Sequence, residues 1–378
     1  MKLNRRAFLT KVGVAGAIVA SGIITKNGSL VRADSRTAEP PKTLAEPTYK
    51  KYIVGEIPRY DAKNNAFSRM TYDPEYFKIR ALQMKNMQSV VGGDKENFVE
   101  MALRGGSWAT AYFDGNVSGV YSWGGGGMLG WKKYGRLPFS TAGMRKLDAK
   151  DIEFNTGWVK KAALTYGADL VGVCEVNPTW IYSQVYNIIT KKSWKVEIPP
   201  SLKYAVVMAI ELPHELISQS PRPIAAAATG LDYSRMIEVS AKMAEFIRNL
   251  GYEAIPMGND TALSVPLAID AGLGELGRLG VLITAKYGPR VRLCKVFTDL
   301  PLMTDKPVDL GQQDFCESCG NCAAECPTGA IPGGERTEVR GLRRWAADPV
   351  KCFQGWAARG VDCTHCISVC PKSEPRTA

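Results

Sequence analysis

At 378 residues, with 45% hydrophobic and 9% aromatic content, the chain is long and apolar enough for two or three domains with real cores, which excludes a disordered protein. The formal charge is +11, but six basic residues, Lys2, Arg5, Arg6, Lys11, Lys26 and Arg32, lie in the first 33 positions beside no acid, leaving 42 basic against 37 acidic residues elsewhere. Those are dispersed, without the basic run interleaved with aromatics that a nucleic-acid groove needs, so no nucleic-acid partner is expected.

Residues 1–33 read as a twin-arginine (Tat) signal peptide. Arg5-Arg6 stands before Phe8-Leu9, an apolar run spans 12–24, and Val31-Arg32-Ala33 is a small-residue cleavage site. The run is too short and too rich in Gly and Ala for a comfortable membrane span. An uncleaved anchor or an amphipathic first helix is the alternative. The expected location is the outer face of the cytoplasmic membrane, held peripherally. Export of this kind carries folded proteins, which suits a chain whose cofactors are inserted first.

Residues 34–150 form the next region. Positions 34–60, with Pro40-Pro41 and Pro47, look like a loosely packed lead-in. Helices are expected over 76–91 and 95–103. A Gly- and aromatic-rich stretch follows, holding Trp108, Tyr121, Trp123, Gly124 to Gly127 and Trp131. It reads equally as a pocket wall or as surface loop with core aromatics. From 151 to about 310 the pattern is α/β (α+β). A helix over 156–166 is capped by Gly167, and apolar strands are expected over 169–174 and 204–210. Gly230-Leu231-Asp232 leads into an amphipathic helix bearing Met236, Val239, Met243, Phe246, Ile247 and Leu250 on one face and ended by Gly251. Short strands follow over 253–257, 281–284 and 291–297.

Gly272-Leu273-Gly274-Glu275-Leu276-Gly277 satisfies the dinucleotide fingerprint, which requires a strand before it and a helix after it. Here a helix over 262–271 precedes and a strand follows, so a dinucleotide site of that kind is not expected. A loop containing Gly272, Gly274 and Gly277 still lets backbone approach a flat cofactor closely.

Ten cysteines in an exported chain would first suggest disulfides. Two, Cys174 and Cys294, lie alone in apolar stretches; the other eight crowd into 316–370. Cys316-x2-Cys319-x2-Cys322-x3-Cys326-Pro327 is the bacterial ferredoxin run, in which three thiolates hold one 4Fe-4S cubane and the fourth reaches a second. Cys352, then Cys363-x2-Cys366-x3-Cys370-Pro371, repeats it with the first ligand displaced by ten residues. The crossover rule assigns Cys316, Cys319, Cys322 and Cys370 to one cluster and Cys326, Cys352, Cys363 and Cys366 to the other. Zinc is the alternative for paired C-x2-C sets, but its sites lack the x3-Cys-Pro tail. Neither His214 nor His365 is needed as a ligand. Residues 311–378 thus read as a ferredoxin-like module with two 4Fe-4S clusters, carrying electrons at low potential.

The segments Gly230-Leu231-Asp232-Tyr233-Ser234-Arg235-Met236, Gly258-Asn259-Asp260-Thr261, Gly272 to Arg278, Tyr287-Gly288-Pro289-Arg290-Val291-Arg292 and Thr298-Asp299-Leu300, in this order before the two cysteine runs, resemble the respiratory reductive dehalogenases. The resemblance covers the twin-arginine start and nearly everything from about 155 to 371. It implies a nitroreductase-like domain over 151–310 that binds a base-off, cobalamin-type corrinoid and removes halide from a small organohalide. Electrons would pass through the two clusters from an upstream donor, with a membrane anchor protein as partner. The family's proton-donating tyrosine falls on Tyr233, with Arg292 and Asn259 in support. A phenol gives up its proton readily only when its phenolate is stabilised, which a permanently charged guanidinium does. Singly, Tyr233 reads as a packing residue, Arg292 as a solvated strand face and Asn259 as a helix cap. Trp108 and Trp356 are candidates for an aromatic, water-excluding wall. The corrinoid is expected nearer the cluster held by Cys326, Cys352, Cys363 and Cys366. The chain stops eight residues after Cys370, sooner than the family pattern, so contacts of a longer tail round the substrate channel are expected to be missing. Two other readings remain: an epoxyqueuosine reductase-like corrinoid enzyme, which acts on tRNA, and a non-catalytic electron-transfer subunit.

Overall fold

The computed structural model describes residues 41–112, 140–187 and 190–375. The expected signal peptide lies outside them, as do Tyr121, Trp123, Gly124 to Gly127 and Trp131. The described residues belong to one compact unit.

Its centre is a four-stranded sheet. Strands β1 (Leu170–Glu175), β2 (Tyr204–Glu211), β3 (Ala254–Met257) and β4 (Val291–Thr298) pair in the order β1-β2-β4-β3, every pair antiparallel. The two central strands are joined along their whole length, from Tyr204 opposite Thr298 to Glu211 opposite Val291. Alternation along them feeds two cores. Val206, Met208, Ile210, Cys294 and Val296 face one side, and Val207, Ala209, Leu293 and Phe297 the other, all at most 6% exposed. Cys174 and Cys294 are core thiols, and burial pushes Cys294 up to about 12.

Helices cover the sheet. The two helices expected after the lead-in are α1 (Pro74–Val91), with Asp73 accepting from the Glu75 amide, and α2 (Lys95–Ser107), capped likewise by Asp94. The next, α3 (Ile152–Thr165), starts four residues before the expected position because the Asp151 side chain caps it; Gly167, with φ +107°, ends it. The long helix α4 (Pro223–Asn249) corrects another expectation, since Gly230 and Tyr233 lie inside it and not at its start. Pro223 in the first turn and the Ala225 to Ala228 run extend it backward, outweighing the turn-like Gly230-Leu231-Asp232. Met236, Val239, Met243 and Ile247 are at most 2% exposed on its sheet-facing side, each worth about 1.5–3 kcal/mol of burial.

A short helix, α5 (Ser264–Asp270), leads to the glycine-rich loop and a hairpin pairing Glu275–Leu276 with Leu282–Ile283. Here the glycines serve the chain itself. A Cβ on Gly272 would lie 2.4 Å from the Lys306 carbonyl oxygen, one on Gly274 2.1 Å from that of Ile283, and one on Gly277 2.7 Å from the Ile283 side chain. The close approach expected toward a flat cofactor is made instead to neighbouring protein.

The cysteine-rich region carries α6 (Gln312–Cys319) and α7 (Pro349–Arg359). Arg278, 3% exposed, binds its loops by donating to the carbonyls of Cys316, Pro332, Gly334 and Glu317. Arg290 donates to Ser373 O and Leu212 O and pairs with Glu211 at 2.7 Å, tying the last turn to the sheet. Helix α1 packs on α7. Tyr76 stacks on Phe353, and Asn86 donates to the Ala357 carbonyl at 2.7 Å.

Candidate functional site

Where β4 passes beneath α4, three of the predicted residues meet. Asn259 Nδ2 donates to Tyr233 Oη at 3.0 Å, and the Arg292 guanidinium lies 5.5 Å from the Tyr233 ring centroid. Each arrives on a different element. Tyr233 projects from the middle of α4, one turn past Thr229, whose hydroxyl accepts from Arg292 at 3.4 Å. Arg292 stands opposite Ile210 in the sheet and points to the helix-bearing face, half-buried rather than solvated. Asn259 caps no helix; it sits in the loop between β3 and α5, its side chain turned to the phenol. Trp108, directly after α2, stacks on Tyr233 with centroids 4.8 Å apart and planes at 21°. The approach is close because residue 230 is glycine: a Cβ there would lie 2.2 Å from Ser107 Oγ and 2.4 Å from Trp108 Cδ1. The other tryptophan, Trp356, is not part of this wall. It packs with Phe67 and Phe353 on α7, one turn past Cys352.

Two charged residues that were not singled out from the sequence support the group. Asp232 is fully buried, and neither carboxylate oxygen has a hydrogen-bond partner among the described residues. Burial pushes its carboxyl well above the usual range, and the charges of Arg292 and Arg235 pull it partly back. Lys295, equally buried on the opposite face of β4, donates to the carbonyls of Gly258, Asp260 and Ala262 and to Ser264 Oγ, over 2.5–3.2 Å. It thereby holds the loop that carries Asn259, where Thr261 adopts a left-handed φ of +67°. Burial brings Lys295 down to about 8, with Asp260 opposing. A lysine inside the apolar strand Val291–Thr298 was a legible signal; an acid beside Tyr233 had no meaning until the helix face was known.

The eight cysteines fall into two neighbourhoods. Burial, then repulsion from Cys316, Cys370 and Cys319, pushes the Cys322 thiol up to about 11. Burial, then Cys363 and Cys326, does the same to Cys352. Cys366 is raised to about 12 by burial and then by Cys363 and Cys352, with Cys322 and Cys326 further down, so the two groups adjoin. Amide donors already point at sulfur. Although burial acts to raise it, backbone N–H groups of Thr328, Ile331 and Ala330 hold the Cys326 thiol low. Among the described residues no three His, Cys, Asp or Glu groups converge as they would round one ion. The donor set, four sulfurs in each neighbourhood with amides aimed at them, fits cubanes.

A 4Fe-4S dicluster domain model matches residues 315–373. The chain is 32% identical to the tetrachloroethene reductive dehalogenase of Sulfurospirillum multivorans, over 94% of this chain and 75% of that protein. The chain belongs to the reductive dehalogenase family. A second relative, the tetrachloroethene reductive dehalogenase of Dehalobacter restrictus, is 30% identical over 100% of this chain and 89% of its own. Among solved structures, one described as a reductive dehalogenase that suggests a mechanism for B12-dependent dehalogenation superposes with a TM-score of 0.65 at 26% identity. That match covers 89% of this chain and 45% of the other, so the chain spans under half of that solved protein. As a reductive dehalogenase the chain is an oxidoreductase of mixed α/β fold with an iron–sulfur dicluster domain.

Proposed function

We propose that the chain removes halide from a small organohalide by a corrinoid-dependent reduction, fed by two 4Fe-4S clusters. The observation that carries this reading is the meeting of Tyr233, Asn259 and Arg292 from three separate elements, beside a cysteine region with two sets of four sulfurs. The family's relatives act on chloroethenes by name, and the same substrate class is the natural choice here.

The residues present fit the proposed groups. Cys316, Cys319, Cys322 and Cys370 would hold one cluster, and Cys326, Cys352, Cys363 and Cys366 the other. The chain's two histidines, His214 and His365, stand 3.5 Å and 3.9 Å from Glu374 and Glu325, so both are turned to carboxylates, in keeping with a base-off corrinoid that takes no imidazole from the protein. The region from β1 to β4 would bind it in a nitroreductase-like manner. When bound, a corrinoid supplies the low-potential reduction that breaks the carbon–halogen bond.

The chain's own residues supply the proton. Tyr233 Oη accepts from Asn259, a bond that does not use the phenol's own hydrogen, and in this reading that hydrogen goes to the substrate carbon. Loss of that proton leaves a phenolate, which the Arg292 charge over the ring and the Asn259 amide stabilise. Trp108 stacks on the ring and covers part of it. The twin-arginine start supports action outside the cytoplasm, with a membrane anchor protein and an upstream donor as partners; no helix among the described residues is long and apolar enough to cross a membrane.

Metal analysis of anaerobically purified protein tests the reading. About eight irons per chain together with cobalt, and turnover of a chloroethene that falls roughly 100- to 10,000-fold in Tyr233→Phe, are expected. Iron without cobalt would overturn it in favour of an electron-transfer subunit.

A further inference from the structure

The two cysteine groups differ in what donates to their sulfurs. In one, the guanidinium of Arg359, in the last turn of α7, donates to Cys363 Sγ at 2.6 Å. In the other, the buried side-chain amide of Gln312 donates to Cys316 Sγ at 2.9 Å, with the Arg278 backbone N–H at 3.5 Å. Both donors are held from behind. Gly360, with φ +72°, ends α7 just past Arg359 and packs against the Asn86 and Met87 backbone. Gln312 is fixed by the buried Glu275 carboxylate, which accepts its main-chain N–H at 3.1 Å. One group therefore takes a hydrogen bond from a permanently charged donor; the sulfur donors of the other are neutral dipoles, and the Arg278 and Lys372 charges act on its thiols without a side-chain hydrogen bond to sulfur among the described residues.

We infer that Arg359 sets the two clusters apart in reduction potential, holding the Cys326, Cys352, Cys363 and Cys366 cluster above its neighbour so that a single electron rests there. This rests on the two-cluster reading above. Reduction by one electron takes a cubane from the 2+ to the 1+ level and adds one negative charge to the cubane and its thiolates. A cation bonded to a ligand sulfur stabilises the more negative state more strongly than the less negative one. Hydrogen bonds to sulfur and local charge are among the main determinants of such potentials. Gln312 acts in the same direction on its own cluster, but more weakly, because its donor carries no net charge. The adjoining of Cys366 and Cys322 gives the electron a short path between the clusters. The unequal donors give that path a resting end.

The test is a potentiometric titration of the anaerobic holoprotein followed by electron paramagnetic resonance, with iron counted in the same samples. Wild type is expected to show two separate reduction waves with about eight irons per chain. Well under about eight irons in wild type would count against the two-cluster reading itself, whereas a single wave with about eight irons would overturn the inference. In Arg359→Gln the upper wave is expected to drop so that the reduced-to-oxidised ratio at fixed potential falls at least tenfold, about 59 mV for one electron, while the lower wave stays. Arg359→Lys, which keeps the charge, is expected to restore most of the loss. Gln312→Leu is expected to move only the lower wave, and by less. The inference is overturned if Arg359→Gln moves neither wave or moves both alike, if Arg359→Lys behaves as Arg359→Gln does, or if the Gln312 and Arg359 variants act on the same wave. Loss of iron in both Arg359 variants would also overturn it, by showing that the residue serves assembly.

Discussion

A buried carboxylate with no hydrogen-bond partner is costly unless charge faces it, and at Asp232 that charge comes from Arg292 and Arg235. Asp232→Asn keeps the shape and removes the acid whose charge couples to Arg292, the guanidinium over Tyr233. Turnover is expected to fall at least tenfold, about 1.4 kcal/mol, with little change in the unfolding midpoint. Unchanged turnover would show that the carboxyl only packs. Lys295 makes a second prediction. Burial raises Asp260 to about 6 and lowers Lys295 to about 8, so both are charged only between those values. As pH rises through about 8 the amine sheds a hydrogen that a carbonyl of the Asn259 loop needs; as it falls through about 6 the acid is neutralised. A pH profile of kcat/KM is expected to be highest between these limits, and Lys295→Met to lower the plateau and abolish the alkaline limb. Tyr233, Asn259 and Arg292 were legible by motif order. Asp232 lay inside the same motif yet read as part of a helix start, because an acid before a helix and an acid buried within one look alike in sequence.

Among the elements, α4 was the least well read. Its apolar face from Met236 to Leu250 was plain from spacing, but its first two turns are alanines that carry no period. Gly230 then looked like a boundary when it is a seat for Trp108. Gly230→Ala should drive the indole off the Tyr233 ring. The expected result is a red-shifted tryptophan emission, a loss of about 1–3 kcal/mol of stability, and loss of turnover beyond what the stability change explains. A variant with wild-type emission and turnover would mean that α2 shifts freely. The glycines at 272, 274 and 277 were flagged for the right reason, close backbone approach, but sequence does not say what approaches. Carbonyls of Lys306 and Ile283 do at the first two, and the Ile283 side chain at the third.

Across the whole molecule, the strongest signal was the spacing of the eight cysteines, since ligand geometry is written in local steps of three and four residues. What spacing does not carry is how that module is gripped. Helix α1, whose spacing showed a helix but not what it packs on, holds α7 and with it Cys352; Arg104 of α2 pairs with Asp362 at 3.0 Å, next to Cys363. These contacts join residues more than 250 positions apart and leave no periodic trace. Gly360 is the tightest of them, since a Cβ there would lie 2.5 Å from Met87 N at a φ of +72°. Gly360→Ala is therefore expected to displace α7 and to lower the iron content from about eight toward about four per chain, with the Cys316 group still loaded. Retention of all the iron would show that α1 is not needed to hold that ligand.

Cys370 stands with Cys316 and Cys319, although the ribosome makes it long after them. A nascent chain that has just emitted the first cysteine run holds only three sulfurs of that neighbourhood. Cys326, the fourth cysteine of that run, belongs to the other group and waits for Cys352, Cys363 and Cys366. Neither cubane can therefore be completed until the second cysteine run has been made, and iron loading becomes a single late event. A chain that lacks the turn at Cys370 has no closed cluster in the first group, so the loading of that group is decided at one step.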